Sequence, residues 1–194
     1  MAANLKTERR HYYTLEEYFA LEKVGDARYE YWDGEIFCMS GGSRKHYRLS
    51  SNIHLRLGQR VEVKGCETYT GDMPIKTPKL PPYRYPDASV VCGESQFESI
   101  NGIDALLNPL LIVEVLSPTT ETADRQEKRI AYQAIESLQE YLLIAQDKVE
   151  VTRYRRNGDL WFREIFTELS AQIRLASINE TITVAEIYRG VTFS

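Results

Sequence analysis

A chain of 194 residues, 43% hydrophobic and 27% charged, is long enough for one domain with a sizeable core and has the ordinary balance of a folded, water-soluble protein. A formal net charge of -4 excludes a protein that holds nucleic acid through global charge, while leaving room for a local basic groove. Three widely spaced cysteines, Cys38, Cys66 and Cys92, form no CxxC pair, which argues against a thiolate zinc site or a disulfide framework and for reduced thiols.

The N-terminal MAANLKTERR lacks the apolar core of a signal peptide, and no run approaches the roughly 20 apolar residues of a membrane span, so the expectation is a cytoplasmic protein. Thr14 stands three residues before Glu17, ahead of Leu15, Tyr18, Phe19 and Leu21, and predicts a short capped amphipathic helix ending near Gly25. Arg28 to Ser40 predicts a hairpin about Asp33-Gly34, with Glu30 in its first strand. Beyond Gly41-Gly42, Ser43 is an N-cap for a helix reaching roughly to Val63, with Tyr47, Leu49, Ile53, Leu57 and Val61 as its apolar positions. Arg44, Lys45, His46 and Arg48 load its first turns with positive charge, the wrong sign for the helix dipole. Either an external anion or plain solvation accounts for that mismatch.

Glu67 to Lys76 predicts one strand, KLPPYRYPD an extended loop, and Asp87 to Cys92 a strand that opens with an acid and continues apolar. Gly93 to Asn108 reads as a polar loop. It leads to Leu110 to Leu116, LLIVEVL, a central strand covered on both faces with one carboxylate, Glu114, inside it. A buried carboxylate without its partner costs about 3 to 5 kcal/mol, so Glu114 calls for a cation, a proton or a metal, and a structural salt bridge would serve equally. Thr119 or Thr120 then caps a helix to about Ile135, on which Asp124, Lys128, Ala131, Tyr132 and Ile135 share a face. The polar first turns of that face suit a helix overhanging a cleft. Glu140 to Ala145 completes a parallel strand, helix, strand crossover. A hairpin about Asn157-Gly158 joins Val149 to Arg155 with Leu160 to Glu168, and the tail from Gln172 to Tyr188 holds one more short strand and a helical turn.

In open α/β sheets the cleft forms beyond the carboxyl ends of the parallel strands. Glu114 lies near that end, and the following helix brings Lys128 and Asp124 toward it. With the Asp87 strand alongside, the two acids can share one hard cation, and oxygen ligands of this kind suit magnesium or manganese rather than zinc.

Pro86-Asp87 followed by Glu114-Val-Leu resembles the PD-(D/E)XK nuclease pattern. More of the chain is similar to the Uma2 family of candidate restriction endonucleases. The shared features occur in order: the opening helix, YEYWDGEIFCMS before a helix with His46, YPDASVV, PLLIVEVLSP, Asp124-Arg-Gln-Glu-Lys128 with Tyr132, and EYLLIAQD. The resemblance implies a restriction-endonuclease-like mixed β-sheet flanked by α-helices over residues 1–194 and metal-dependent cleavage of a phosphodiester. It also implies Asp87, Glu114 and the Val115 carbonyl as ligands of Mg2+ or Mn2+. The superfamily's usual lysine position is Leu116 here, on the same strand face as Glu114. Lys128 is the natural substitute, and a lysine there is what the family is expected to use. A second departure, IESLQEYLLIAQD, lacks the glycine-valine turn typical of relatives and reads as packing variation.

The plainer readings are equally specific. Read alone, Asp87 is a strand-opening cap or turn acid, and Lys128 a surface partner of Asp124 worth about 0.3 to 0.5 kcal/mol. Glu30 is either outer-shell support for the metal or a surface hairpin charge. His46 and His54 read as helix-surface or cleft-edge histidines, and Tyr132 as a packing residue whose hydroxyl reaches the site. Tyr83, Arg84, Arg44 and Lys45 are candidate nucleic-acid contacts by charge and aromatic interleaving, or solvated faces. The combined expectation is a single α/β domain acting as a magnesium-dependent DNA endonuclease, as a homodimer by analogy. A catalytically inactive module of the same fold, binding nucleic acid or a protein partner, is the alternative that Leu116 sustains, and a hydrolase of small phosphorylated substrates is the third.

Overall fold

The computed structural model describes residues 11–24, 29–32, 34–38, 41–79, 83–100, 102–118 and 120–193. In chain order these form α1 (Leu15–Val24), the hairpin β1 (Tyr29–Trp32) and β2 (Glu35–Cys38), α2 (Arg44–Val61), β3 (Cys66–Thr70), β4 (Ile75–Lys76), β5 (Tyr83–Arg84) and β6 (Ala88–Cys92). There follow β7 (Phe97–Ile100), β8 (Ile103–Leu106), β9 (Leu111–Leu116), α3 (Glu121–Ala123), a π turn (Asp124–Lys128) and α4 (Arg129–Gln133). The chain ends with β10 (Glu140–Ala145), β11 (Val151–Asn157), β12 (Leu160–Phe166), β13 (Gln172–Leu175), β14 (Glu180–Thr183) and α5 (Val184–Ile187). Gly25, Arg28, Asp33, Ser40 and Thr119, on which some expected helix and turn boundaries fall, lie outside the described residues.

The main sheet has six strands in the order β12-β11-β10-β9-β6-β3, with β9 and β10 parallel and its other pairs antiparallel. All six residues of β9 are buried, as a strand covered on both faces requires. Leu111, Val113 and Val115 pack with Leu49, Ile53, Leu57 and Val61 of α2 and with the β13-β14-α5 segment. Ile112 and Leu116 turn to the opposite layer, beside Tyr132, Ile135, Leu138 and Tyr141. Glu114 shares the face of Ile112 and Leu116, so the one carboxylate of the strand is directed at the helix that follows it.

Of the three helix starts read from side-chain chemistry, two carry their side-chain caps, while Thr120 stands at the N-cap of α3 without a side-chain cap hydrogen bond. The Thr14 N–H donates to Glu17 at 2.7 Å while the Glu17 N–H donates to the Thr14 hydroxyl at 3.2 Å, a reciprocal cap. The Ser43 hydroxyl accepts the His46 N–H at 3.1 Å and caps α2.

Six expectations need correction. The segment KLPPYRYPD holds the short strand β5, and the tail holds the two paired strands β13 and β14 rather than one. The stretch from Glu67 to Lys76 is two strands in different sheets, because the chain turns at residues 71–73 and sends β4 to pair with β5 and β8. The expected loop from Gly93 to Asn108 contains the hairpin β7-β8, whose four-residue strands are too short to impose a clear alternation. The helix before β10 widens at Asp124–Lys128 into a π turn, a feature that side-chain periodicity does not encode. Cys66 and Cys92, opposite each other on β3 and β6, form a disulfide rather than remaining reduced thiols. Their 26-residue separation conceals an adjacency that only strand register creates.

The opposite end of β10 carries a buried acid with a different character from Glu114. Glu140 is fully buried, and its carboxylate accepts the Ala176 and Ser177 N–H groups and the Ser177 hydroxyl, with Arg153 3.6 Å away. Such complete satisfaction marks a structural tie between β10 and the turn at 176–178. Glu140→Ala is expected to lower the unfolding free energy by about 3 to 5 kcal/mol, read from the urea midpoint.

Candidate active site

Asp87 directly precedes β6, whose Ala88 is paired with Val113 of β9. This register carries the Asp87 carboxylate past the end of its own strand to β9, where its Oδ2 accepts the Val115 N–H at 2.6 Å. The other oxygen, Oδ1, is 3.3 Å from Nε2 of His46 in the first turn of α2. Glu114, one residue before Val115, faces the helical layer and accepts the Tyr132 hydroxyl at 3.0 Å and the Lys128 ammonium at 3.3 Å.

Lys128 is the centre of the cluster. Its Nζ lies 2.9 Å from Glu30 Oε1, 3.1 Å from Asp124 Oδ1 and 3.3 Å from Glu114 Oε1, and the residue is only 3% exposed. The π turn places Asp124 and Lys128, four residues apart, on the same inward side. Glu30, from the hairpin β1-β2, closes the group from above, and Arg84 stands 3.7 Å from it. The Tyr141 hydroxyl donates to the Asp124 carbonyl at 3.1 Å and braces the helix from β10.

These groups border a cavity of about 440 Å³ whose lining includes Glu30, His46, Asp87, Glu114, Val115 and Lys128. Four carboxylates, Glu30, Asp87, Glu114 and Asp124, act on one another there. Against them stand Lys128 and Arg84, so full ionisation leaves two negative charges in excess, or one when His46 is protonated. Burial pushes the Glu114 carboxyl well above the usual range; Lys128 counters this, and the charges of Asp124, Asp87 and Glu30 add to it. Asp124 is raised for the same leading reason, burial, again opposed by Lys128. For Lys128 burial works against the charge, but Glu114, Glu30 and Asp124 outweigh it and hold the ammonium well above its ordinary value. Burial likewise opposes protonation of His46, and the hydrogen bond and charge of Asp87 overcome it, giving a net upward shift.

The residues fit a hard divalent cation. Among the described residues no three His, Cys, Asp or Glu side chains are disposed to hold an ion by themselves. Magnesium, however, needs only one or two carboxylates and completes its shell with water and substrate oxygens. Asp87, Glu114 and Val115 line one cavity, and oxygen donors of this type are what such an ion takes.

The model of Uma2, a family described as "Putative restriction endonuclease", matches residues 15–185. The chain belongs to the Uma2 family. This Uma2 protein is 34% identical over 178 residues to the "Uncharacterized protein slr1290" of Synechocystis sp., covering 92% of each chain. It is also 34% identical over 159 residues to "Uncharacterized protein sll1609" of the same organism, covering 82% of this chain and 88% of that one. Its fold matches the crystal structure of a "putative nuclease belonging to DUF820" from Anabaena variabilis, with a TM-score of 0.70 at 20% identity over 92% of this chain and 99% of that one. The Uma2 fold is therefore a mixed β-sheet flanked by helices of the nuclease-like kind.

Of the residues singled out from sequence, Asp87, Glu114, Val115, Lys128, Glu30 and His46 meet at one cavity, with Asp124 and Tyr132 directly behind it. Arg84 and Tyr83, expected as exposed nucleic-acid contacts, are buried instead: Arg84 is 2% exposed beside Glu30, and Tyr83 is 5% exposed and packs edge-on against Phe19. Alternation of charge and aromatics in YRY signals burial here, because β5 lies beneath α1 rather than on the surface. Arg44 is exposed, while Lys45 lies over the Phe193 ring at 5.2 Å. Tyr141 and Gln146 were not singled out from sequence; the first looks like any aromatic of a buried strand, and the second lines the cavity from the end of β10.

Proposed function

We propose that this Uma2 protein is a magnesium- or manganese-dependent endonuclease acting on DNA. The carrying observation is the convergence of Asp87, Glu114 and Lys128 on one cavity, where four carboxyl groups meet two basic side chains. Asp87, Glu114 and the Val115 carbonyl hold the ion. The ion supplies charge on the phosphoryl oxygens and a more acidic water.

Lys128 works as a fixed cation. An ammonium held well above its ordinary pKa by three acids cannot take a proton at neutral pH, so it stabilises negative charge developing on the phosphoryl group rather than acting as a base. Tyr132 and Asp124 hold Glu114 and Lys128 in place from behind. Leu116, the residue at the superfamily's usual lysine position, is 3% exposed in the apolar layer, and the amine arrives instead from the next helix. That arrangement supports the active reading over the inactive module.

Arg44, at the exposed start of α2 near the cavity, is a phosphate contact, and Lys45 beside it contributes a second positive charge. Arg44→Ala is expected to weaken DNA binding across all sequences and to reduce the salt slope by about one; an unaltered slope removes Arg44 from the interface. Arg84→Gln is expected to leave that slope unchanged and to lower stability. Cutting both strands of a duplex calls for two such sites, and the working form is a homodimer. The function is tested by incubating plasmid DNA with wild type in millimolar Mg2+ or Mn2+: nicking or linearisation that EDTA stops supports it, and intact DNA under every metal condition rejects it.

A further inference from the structure

The first turn of α2 puts more at the cavity than a capped helix needs. His46 Nε2 stands 3.3 Å from Asp87 Oδ1, and because a carboxylate only accepts, Nε2 carries the proton of that contact. With Oδ2 already accepting the Val115 N–H, both Asp87 oxygens are fixed by donors from two different elements. The Nδ1 atom of His46 is buried and has no hydrogen-bond partner among the described residues, so none of these orients the ring from its far side. Orientation comes instead from the backbone and from Gly42. A Cβ at Gly42 would lie 2.9 Å from His46 Nδ1 and 3.0 Å from Cγ, so the ring occupies the space that any other residue would fill. Ser43 adds the other constraint: its hydroxyl accepts the His46 N–H and donates to the Gln146 side chain, tying the start of α2 to the end of β10.

Resting on the metal-dependent reading above, we propose that His46, seated in the space left by Gly42 and steadied through Ser43 by Gln146, is a positioning residue that orients the Asp87 carboxylate for the divalent ion. A carboxylate free to rotate presents its oxygens to the ion only part of the time, whereas one clamped at both oxygens presents its remaining lone pairs in one direction. Outer-shell partners of this kind are worth 10- to 100-fold in metal affinity. His46 itself does not bind the ion in this scheme.

The test is Mn2+ affinity by isothermal titration calorimetry on the full chain, without DNA, for wild type, His46→Ala, His46→Gln and Gly42→Ala, with urea midpoints in EDTA recorded alongside. Gln at position 46 can place its amide N–H where Nε2–H was, and Gly42→Ala keeps the imidazole but displaces it. Expected are a loss of roughly 10- to 100-fold in affinity for His46→Ala, a loss of similar size for Gly42→Ala, and recovery of most of it in His46→Gln, with urea midpoints changing in a different order. Equal affinities in wild type, His46→Ala and Gly42→Ala overturn the positioning role while leaving the metal site intact. Absence of Mn2+ binding by wild type overturns the metal-dependent reading itself, and the positioning role with it.

Discussion

Glu114→Gln is expected to lower metal-dependent DNA cleavage by more than about 100-fold, beyond the cost of an outer-shell partner, while leaving the metal-free protein as stable as wild type or more so at neutral pH. The substitution keeps the volume and an acceptor for the Tyr132 hydroxyl but removes a charge that burial and three neighbouring acids disfavour. The sign follows from linkage. The folded-state pKa of Glu114 lies above that of the unfolded chain, about 4.3, so the folded state binds more protons in between. Its contribution to stability is therefore fully present below the unfolded pKa and is lost as pH rises through the folded one. Urea unfolding of wild type in EDTA should show stability declining as pH rises from the acid side, with a shallower decline in Glu114→Gln; Asp124, raised for the same reason, keeps part of it. A Glu114→Gln protein that unfolds at neutral pH would mean that Glu114 is a member of a structural ion pair.

Lys128→Met should have the larger effect on the fold. Removing the ammonium leaves Glu30, Asp124 and Glu114 facing one another in a buried space, and stranding charges in this way costs about 3 to 5 kcal/mol. The loss should shrink as pH falls, because protonating the acids removes the repulsion, and should shrink on adding Mn2+, which replaces part of the missing positive charge. Ligand linkage contributes about 2.7 kcal/mol at a hundred times the dissociation constant. In the proposed mechanism Lys128 is the fixed cation beside the phosphoryl group, so cleavage should be lost even where stability is restored by metal. A surface Asp124–Lys128 pair would predict only about 0.3 to 0.5 kcal/mol with little dependence on metal, so the urea midpoints at pH 8 with and without Mn2+ separate the two cases.

The site was legible in the sequence to the extent that period and burial fix direction. An acid in the middle of an apolar strand had to be buried, and strand alternation put it on the face of Leu116 and of the following helix. Helical spacing then put Asp124, Lys128 and Tyr132 on one face, and all three are buried against that acid. What did not show was contact made through register or through a third element. Glu30 could not be told from a surface hairpin charge, because only the docking of the hairpin on the cavity brings its carboxylate to Lys128. Arg84 looked like a phosphate contact because local sequence carries charge and aromaticity without saying which side of α1 they lie on. Cys66 and Cys92 face each other only because β3 and β6 pair in one register. The tilt toward a π turn at Asp124–Lys128, which sets the reach of the lysine, left no mark in composition or spacing.

Anomalous diffraction from crystals soaked in millimolar Mn2+ tests the central claim most directly. The account predicts a peak ligated by the Asp87 and Glu114 carboxylates and the Val115 carbonyl, with the Lys128 ammonium beside it. Density for all of these groups with no peak among them, under conditions where Mn2+ is bound elsewhere or not at all, would contradict it.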